Sequence, residues 1–206
     1  MAITFPRALP ETGVLTTATI GMLDAVGVGE SPFTFSQEVF EHPGKRWEMQ
    51  VQVARMLRPQ AERWVAWLAS LRGRRGTFLM GDPLGATPRG AATGVPLVKG
   101  AGQTGGTLLT DGWTINTTGI LLEGDWIQLG SGSSSRLHKV LQDADSDAGG
   151  NATLELWPGP RTAPADNAAL VVSNTQGVWR LKNNLRKYDL SAAVIFGIGF
   201  DCMEAL

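Results

Sequence analysis

Few side chains in this chain could carry chemistry, and their spacing decides what they could do. His42 and His138 are the only histidines and Cys202 is the only cysteine. One thiol excludes an internal disulfide and any multi-cysteine zinc site. Two imidazoles leave little for an acid–base relay or a metal shell. Cys202 lies in an apolar, strand-like run, which points to a packed thiol; a Cys202/His nucleophile is the alternative. His138 alternates with Leu137 and Lys139, which predicts a surface or rim position on a strand. Asp143, Asp145 and Asp147 have the alternate spacing of a calcium loop, where carboxylates on a curved backbone converge on a hard cation. Against that, Ala148 stands where the loop needs glycine and Leu154 where it needs a bidentate acid, so a solvated hairpin loop is the plainer reading. Gly100, Gly102 and Gly105 match a dinucleotide fingerprint, with Glu123 at a plausible distance for a ribose. That fingerprint must open a helix, and Gly106, Thr107, Thr110 and Asp111-Gly112 break one, so a tight turn between strands is expected.

Other polar and aromatic groups have a structural reading beside a binding one. Arg72, Arg74 and Arg75 follow a helical stretch, where cations favour the negative end of the helix dipole; a phosphate contact is the alternative. Ser131-Gly-Ser-Ser-Ser135 reads as a polar connection that could also touch a sugar. Trp113, Trp126 and Trp157 are either core residues or stacking platforms for a glycan, and solvent exposure separates the two. No catalytic, cofactor or metal site is assigned to any residue, and the chain is read as not an enzyme.

The elements that position these groups are mostly strands. Val95–Lys99, Trp126–Leu129, Leu137–Leu141 and Thr153–Trp157 are short apolar runs cut by Gly, Ser, Asp and Pro clusters. Phe33–Phe40 and Trp47–Val53 alternate with a period of two, and Glu41-His42-Pro43-Gly44 between them has turn chemistry, so a hairpin is expected there. From Pro59 the period becomes helical: Ala61, Trp64, Val65, Leu68 and Leu71 form one stripe, with Pro59 suited to its start and Gly73 to its end. That stripe is expected to pack on the sheet containing Trp47–Val53. Thr77–Met80 returns to a strand, and Lys187–Phe200 is again β-like.

The fold class expected is mainly β with one main helix (α+β), a β-sandwich or barrel domain with an inserted small β domain. Residues 1–85 and 180–206 would share one sheet, and residues 86–179 would form the insert, bounded by the Gly/Pro/Ala-rich Leu84–Pro96 and the turn near Asn183-Asn184. The 206 residues suffice for a real core without metal or disulfide. Lys and Arg number 18 against 19 Asp and Glu, a formal charge of -1, so net charge gives no footprint for nucleic acid or an anionic membrane, though a local patch is open. No signal peptide or bilayer-length apolar run is evident, which predicts a soluble chain made in a cytoplasm, without membrane insertion.

The order of these segments resembles a known family. The Pro-started helix with Glu62-Arg63-Trp64, then Leu71-Arg72-Gly73, Gly76-Thr77-Phe78, Gly81-Asp82-Pro83, Gly100–Gly105, Gly124-Asp125-Trp126-Ile127-Gln128-Leu129-Gly130 and Leu137-His138-Lys139-Val140 is similar to tail-tip proteins of long-tailed bacteriophages, over roughly residues 45–182. The resemblance implies a distal tail protein, a virion structural ring that joins the tail tube to the baseplate hub. It further implies a belt domain at residues 1–85 and 180–206, six copies per ring, and an outer domain at 86–179. The partners implied are a second copy of the chain, the tail tube protein, the hub and other tail-tip proteins, with a host-surface glycan as a further one. The implied location is the virion tail tip, after synthesis in the bacterial host cytoplasm, and no cofactor is implied. The alternatives are a receptor- or carbohydrate-binding tail module, another minor tail or hub component, and a cell-wall hydrolase, which would need paired carboxylates or a Cys/His site in a cleft.

Overall fold

The computed structural model describes residues 2–190 and 195–206. Ser191 to Val194, part of the C-terminal β-like run, lie outside the described residues. The chain is mostly β with one main helix, as its periodicity predicts. Strands β1 (Leu15–Glu30) and β2 (Gln37–Leu57) form a long antiparallel ribbon, and β2 runs directly into α1 (Arg58–Ser70). Strand β3 (Thr77–Met80) follows the helix. Next come β4 (Gly94–Val98), β5 (Thr107–Trp113), β6 (Trp126–Leu129), β7 (Arg136–Val140), β8 (Ala152–Trp157) and β9 (Leu170–Val171). The chain then supplies β10 (Gly177–Leu181), β11 (Tyr188–Leu190) and β12 (Ile195–Glu204).

Two sheets result. The first has the order β1-β2-β12-β10-β3, with β11 pairing β12, so both ends of the sequence meet in it. The second has the order β4-β5-β8-β7-β6-β9, and a bridge from Leu97 to Ala169 brings the β9 end back to β4, nearly closing a barrel. The expected boundary at residues 179/180 falls inside β10, which pairs with β3 through Gly177–Arg180 and with β12 through Trp179–Leu181.

The helix forms where the two-residue period stops because Pro59, with its fixed φ and no N–H to donate, fits the first turn. Its buried face is Ala61, Trp64, Leu68 and Leu71, with Val65 half-buried and Trp67 added. Trp67 keeps the same stripe, three residues after Trp64 and four before Leu71. The face packs on Val51, Val53, Ile198 and Phe200 of β2 and β12, and Trp67 meets Phe78 edge-on at 5.0 Å. Indole N–H groups on this face still need acceptors. Trp67 Nε1 donates to the Ala8 carbonyl at 2.8 Å and Trp64 Nε1 to that of Thr12, which straps the N-terminal segment over the helix.

Arg72 and Gly73 end the helix with left-handed φ of 52° and 70°. The arginines that follow it, Arg72, Arg74 and Arg75, are exposed, as a solvated helix end predicts, and a further arginine meets a carbonyl of the last turn. Arg186 Nη1 donates to the Leu68 carbonyl at 3.0 Å.

The two sheets meet at three tryptophans. The Trp47 ring lies 4.7 Å from Trp126 and 4.4 Å from Trp157, and each indole N–H crosses to a separate acceptor: Leu137 O at 3.0 Å, Asp82 Oδ2 at 2.9 Å and Asp24 Oδ1 at 2.8 Å respectively. Arg161 grips the buried Glu204 carboxylate with both terminal nitrogens, at 2.9 and 2.8 Å, and Glu204 also accepts from the Trp47 backbone N–H. A two-pronged guanidinium pair of this kind fixes orientation as well as charge.

Candidate assembly surface

The first half of the ribbon is ordinary core strand. Ala18, Val51 and Phe200 lie side by side across β1, β2 and β12, as do Ile20, Met49 and Cys202, and these rows face the helix side. The opposite face carries Thr17, Gln52 and Gly199 in one row and Thr19, Gln50 and Asp201 in the next. That face is polar and small. At Gly199 a side chain would strike Gln52, whose amide lies over the glycine.

Beyond Trp47 the alternation of burial stops. Met22, Leu23, Val26, Val28, Val39 and Phe40 are all exposed, on a two-stranded projection that neither core covers. The tip, Ser31–Ser36, is closed by Ser31 N–H to Ser36 O at 3.0 Å and Phe35 N–H to Ser31 O at 2.9 Å. It holds Phe33 at 91% and Phe35 at 74% exposure. Exposed apolar side chains concentrated on both faces of one projection point to an interaction site rather than to the scattered exposure of an ordinary surface. The outer edge of β1 is also free of a strand partner among the described residues.

The sequence hairpin is thereby corrected. Phe33–Ser36 belongs to the tip rather than to a strand, and Glu41-His42-Pro43-Gly44 is an irregularity inside β2 rather than a turn. Asp24 faces Lys45 and Val26 faces Glu41, so one residue on β1 opposes three on β2. Pro43 cannot donate to a ladder and is tolerated at such a bulge, and Gly44 fits close to Ala25. The real partner of β2 is β1, whose β-branched run at Leu15–Ile20 is its available signal; Gly21, Gly27 and Gly29 interrupt the pattern.

The other singled-out groups do not converge on the ribbon or on each other. His138, expected on the surface or rim, is 2% exposed: its Nδ1 is 2.5 Å from Pro158 O, and it lies on the face of β7 shared with Val140 of the second core. Burial pushes its pKa below the ordinary imidazole value, against weaker opposing effects of the Pro158 carbonyl and Glu204. His42 is exposed in the bulge. Cys202 is buried, donates to Met49 O at 3.4 Å, and burial pushes its thiol pKa up, away from thiolate chemistry.

The three aspartates each turn to local backbone. Asp143 accepts from Glu123 N–H, Asp145 from Gly119 N–H, and Asp147 from Gly149 and Asn151 N–H. Among the described residues no cluster of His, Cys, Asp or Glu is placed to hold one metal ion. Gly100, Gly102 and Gly105 form the β4–β5 turn with φ of +85°, +79° and +94°, and no helix follows them. Gln103 fills that turn, accepting from Leu109 N–H and donating to the Lys99 carbonyl. Ser131–Ser134 is a short capped 3-10 turn.

Trp113, Trp126 and Trp157 are 4%, 4% and 9% exposed, so none offers a ring face to a glycan. The Trp126 ring is covered by Lys139 Nζ at 4.1 Å. No helix among the described residues is long and apolar enough to cross a membrane. No protein-family profile matches the chain, and no curated protein matches it significantly.

Proposed function

We propose that this chain is a virion structural protein of a long-tailed bacteriophage, a distal tail protein whose copies close into a ring between the tail tube and the baseplate hub. The observation that carries the reading is the β1–β2 ribbon: an apolar projection with an open edge, attached to a sheet whose far face is polar. A subunit built to be covered by its neighbours needs such a projection. The first sheet likewise has two faces, one packed under the helix and one polar, carrying Thr17, Thr19, Gln50, Gln52 and Asp201, which the chain's own core leaves uncovered. Head-to-tail contacts close when their rotation divides a full turn, and six copies is the number expected from the tail resemblance. In this reading the tube protein, hub and other tail-tip proteins are the axial partners, and the chain acts by shape rather than by bond chemistry.

The test is electron microscopy of an intact particle with this chain traced. A closed ring of copies at the tube–hub junction is expected. A single copy, or a three-copy fibre below the hub, overturns the reading.

A further inference from the structure

The near-zero net charge conceals a separation of charge along the first sheet. From Ala8 to Gly44 the sequence holds five carboxylates, Glu11, Asp24, Glu30, Glu38 and Glu41, and no Lys or Arg. From Val53 to Arg75 it holds six arginines against Glu62 alone, and from Arg180 to Lys187 four cations and no carboxylate.

The fold turns this segregation into two surfaces. Glu30, Glu38 and Glu41 sit on the distal ribbon, opposite Gln37, Gly29 and Val26 in the register, so that Glu30 and Glu41 share one face with Val26, Val28 and Val39 and Glu38 lies on the other with Phe40. Glu41 pairs with Lys45 at 2.8 Å, whereas Glu30 and Glu38 have no cation within ion-pair distance among the described residues. At the helix-proximal end of the same strands, Arg55, Arg186 and Lys187 line a groove with Gly197 and Gly199, and Asp189 and Asp201 are its acidic members. The arginine-bearing turn after α1 abuts the same groove, because Asn184, one of its lining residues, accepts from Arg74 N–H at 3.1 Å. Arg55, Arg72, Arg74, Arg75 and Lys187 make no ion pair among the described residues. Exposed Leu57, Leu185, Tyr188 and Leu190 lie in the same strands and connection as these cations. The two surfaces lie at different ends of the same strands: the carboxylates are on the distal half of the β1–β2 ribbon, whereas Thr16 of β1 and Gln50, Gln52 and Arg55 of β2 line the groove at its helix-proximal end.

We infer that the acidic ribbon of one copy docks in the basic groove of the next, with Glu30 and Glu38, which project from opposite faces of the ribbon, meeting Arg55 and Lys187. Val28 and Val39, on the face of Glu30, then cover the apolar residues around β11. This inference rests on the ring reading and names its lateral contact. Charge complementarity selects the occupant. Two ribbons meeting each other would oppose like charges, which disfavours a two-fold contact, whereas ribbon to groove is head-to-tail and propagates. A nucleic acid would satisfy the groove alone and leave the acidic, apolar ribbon uncovered; a second copy satisfies both at once.

A charge swap tests this on the full chain. E30K/E38K makes both surfaces basic, and R55E/K187E makes both acidic. Each variant alone, shown by circular dichroism to be folded, is expected to self-associate about a hundred-fold more weakly than wild type by sedimentation at low salt, because like charges then face each other. An equimolar mixture is expected to recover assembly by alternation, and the variant carrying all four changes is expected to assemble alone. Wild-type assembly should weaken as ionic strength rises.

Wild-type-like assembly of either two-site variant, or a mixture of folded variants that fails to recover, overturns the contact. Loss of duplex-DNA retention by R55E/K187E, with its assembly intact, would assign the groove to nucleic acid and overturn the contact as well. Rings indifferent to every swap would keep the ring reading and remove this interface. Open chains that obey the swap would keep the interface and remove the ring, and a wild type monomeric at every concentration would remove both.

Discussion

Replacing Trp47 by alanine should be among the most damaging single changes in the chain, because that indole serves both sheets at once. It is 1% exposed, contacts the Trp126 and Trp157 rings, and donates to Leu137 O at 3.0 Å. A buried tryptophan removes roughly 200 Å² from water. At about 25 cal/mol per Å² the transfer contribution is about 5 kcal/mol, and tryptophan-to-alanine changes in cores cost about 3 to 5 kcal/mol. Leaving the Leu137 carbonyl without this donor adds about 1 kcal/mol. The expected total is about 4 to 6 kcal/mol, read from urea unfolding followed by far-ultraviolet circular dichroism. Trp47→Phe keeps part of the ring contact and should lose about half as much. A double-mutant cycle with Trp157→Ala should give a coupling of about 0.5 to 1.5 kcal/mol, since the edge-on ring contact is lost once. A loss under about 1 kcal/mol for Trp47→Ala, or additive effects of the two substitutions, would refute the argument that these rings join the sheets.

Three further outcomes follow from the same packing. Burial holds His138 neutral to below its ordinary pKa of 6.5, so the unfolded chain takes up a proton first as pH falls; its stability contribution is complete above pH 6.5 and is lost below it, at up to about 1.4 kcal/mol per pH unit. His138→Asn should flatten that slope in unfolding curves taken between pH 7 and 5, and an unchanged slope would show that other groups set it. Gly81→Ala should cost about 2 to 3 kcal/mol or more, because its methyl runs into the Thr175 carbonyl, whereas Gly102→Ala, with open space around it and a φ of +79°, should cost about 1 to 2 kcal/mol from backbone strain; equal losses in urea would contradict the contrast. Cys202 should resist a thiol reagent in the folded chain and react at the unfolding rate, and fast native labelling would contradict its burial.

What can be read from sequence is the periodic part. The helix stripe is legible because Ala61, Trp64, Leu68 and Leu71 repeat at three and four residues, and one buried face is enough to fix its orientation. The short strands of the second sheet are legible because turn residues fence them. The meeting of both chain ends in one sheet also follows, since neither end has an apolar partner nearby. The ribbon does not follow. Its distal strands bury neither face, so the period of two read at Phe33–Phe40 corresponds to no half-buried strand, and Pro43-Gly44 imitates a turn while serving a bulge. His138 is misplaced by sequence for a related reason. Alternation with a lysine suggests an outward face, but in β7 both faces are covered near His138, one by the first sheet and one by the second core.

The exposed ribbon sets a physical problem that its own residues address. Apolar side chains on an open edge invite indiscriminate pairing with other chains. Glu30, Glu38 and Glu41 give every ribbon the same charge, so two free ribbons repel, while the cations that would welcome one lie at the helix-proximal end of the ribbon's own strands and in the connection to β11. Gly27, Gly29 and the bulge at Pro43 lower the intrinsic strand preference of the projection. These choices cost little elsewhere, because the distal ribbon belongs to neither buried cluster and its ties to the tryptophan junction, Asp24 with Trp157 and Lys45 with Arg161, lie at its base. Stability and association are thus assigned to different residues. In the proposed ring, that separation lets the ribbon be selected for its partner alone, with like-charge repulsion favouring the head-to-tail contact over every symmetric pairing of the same surface.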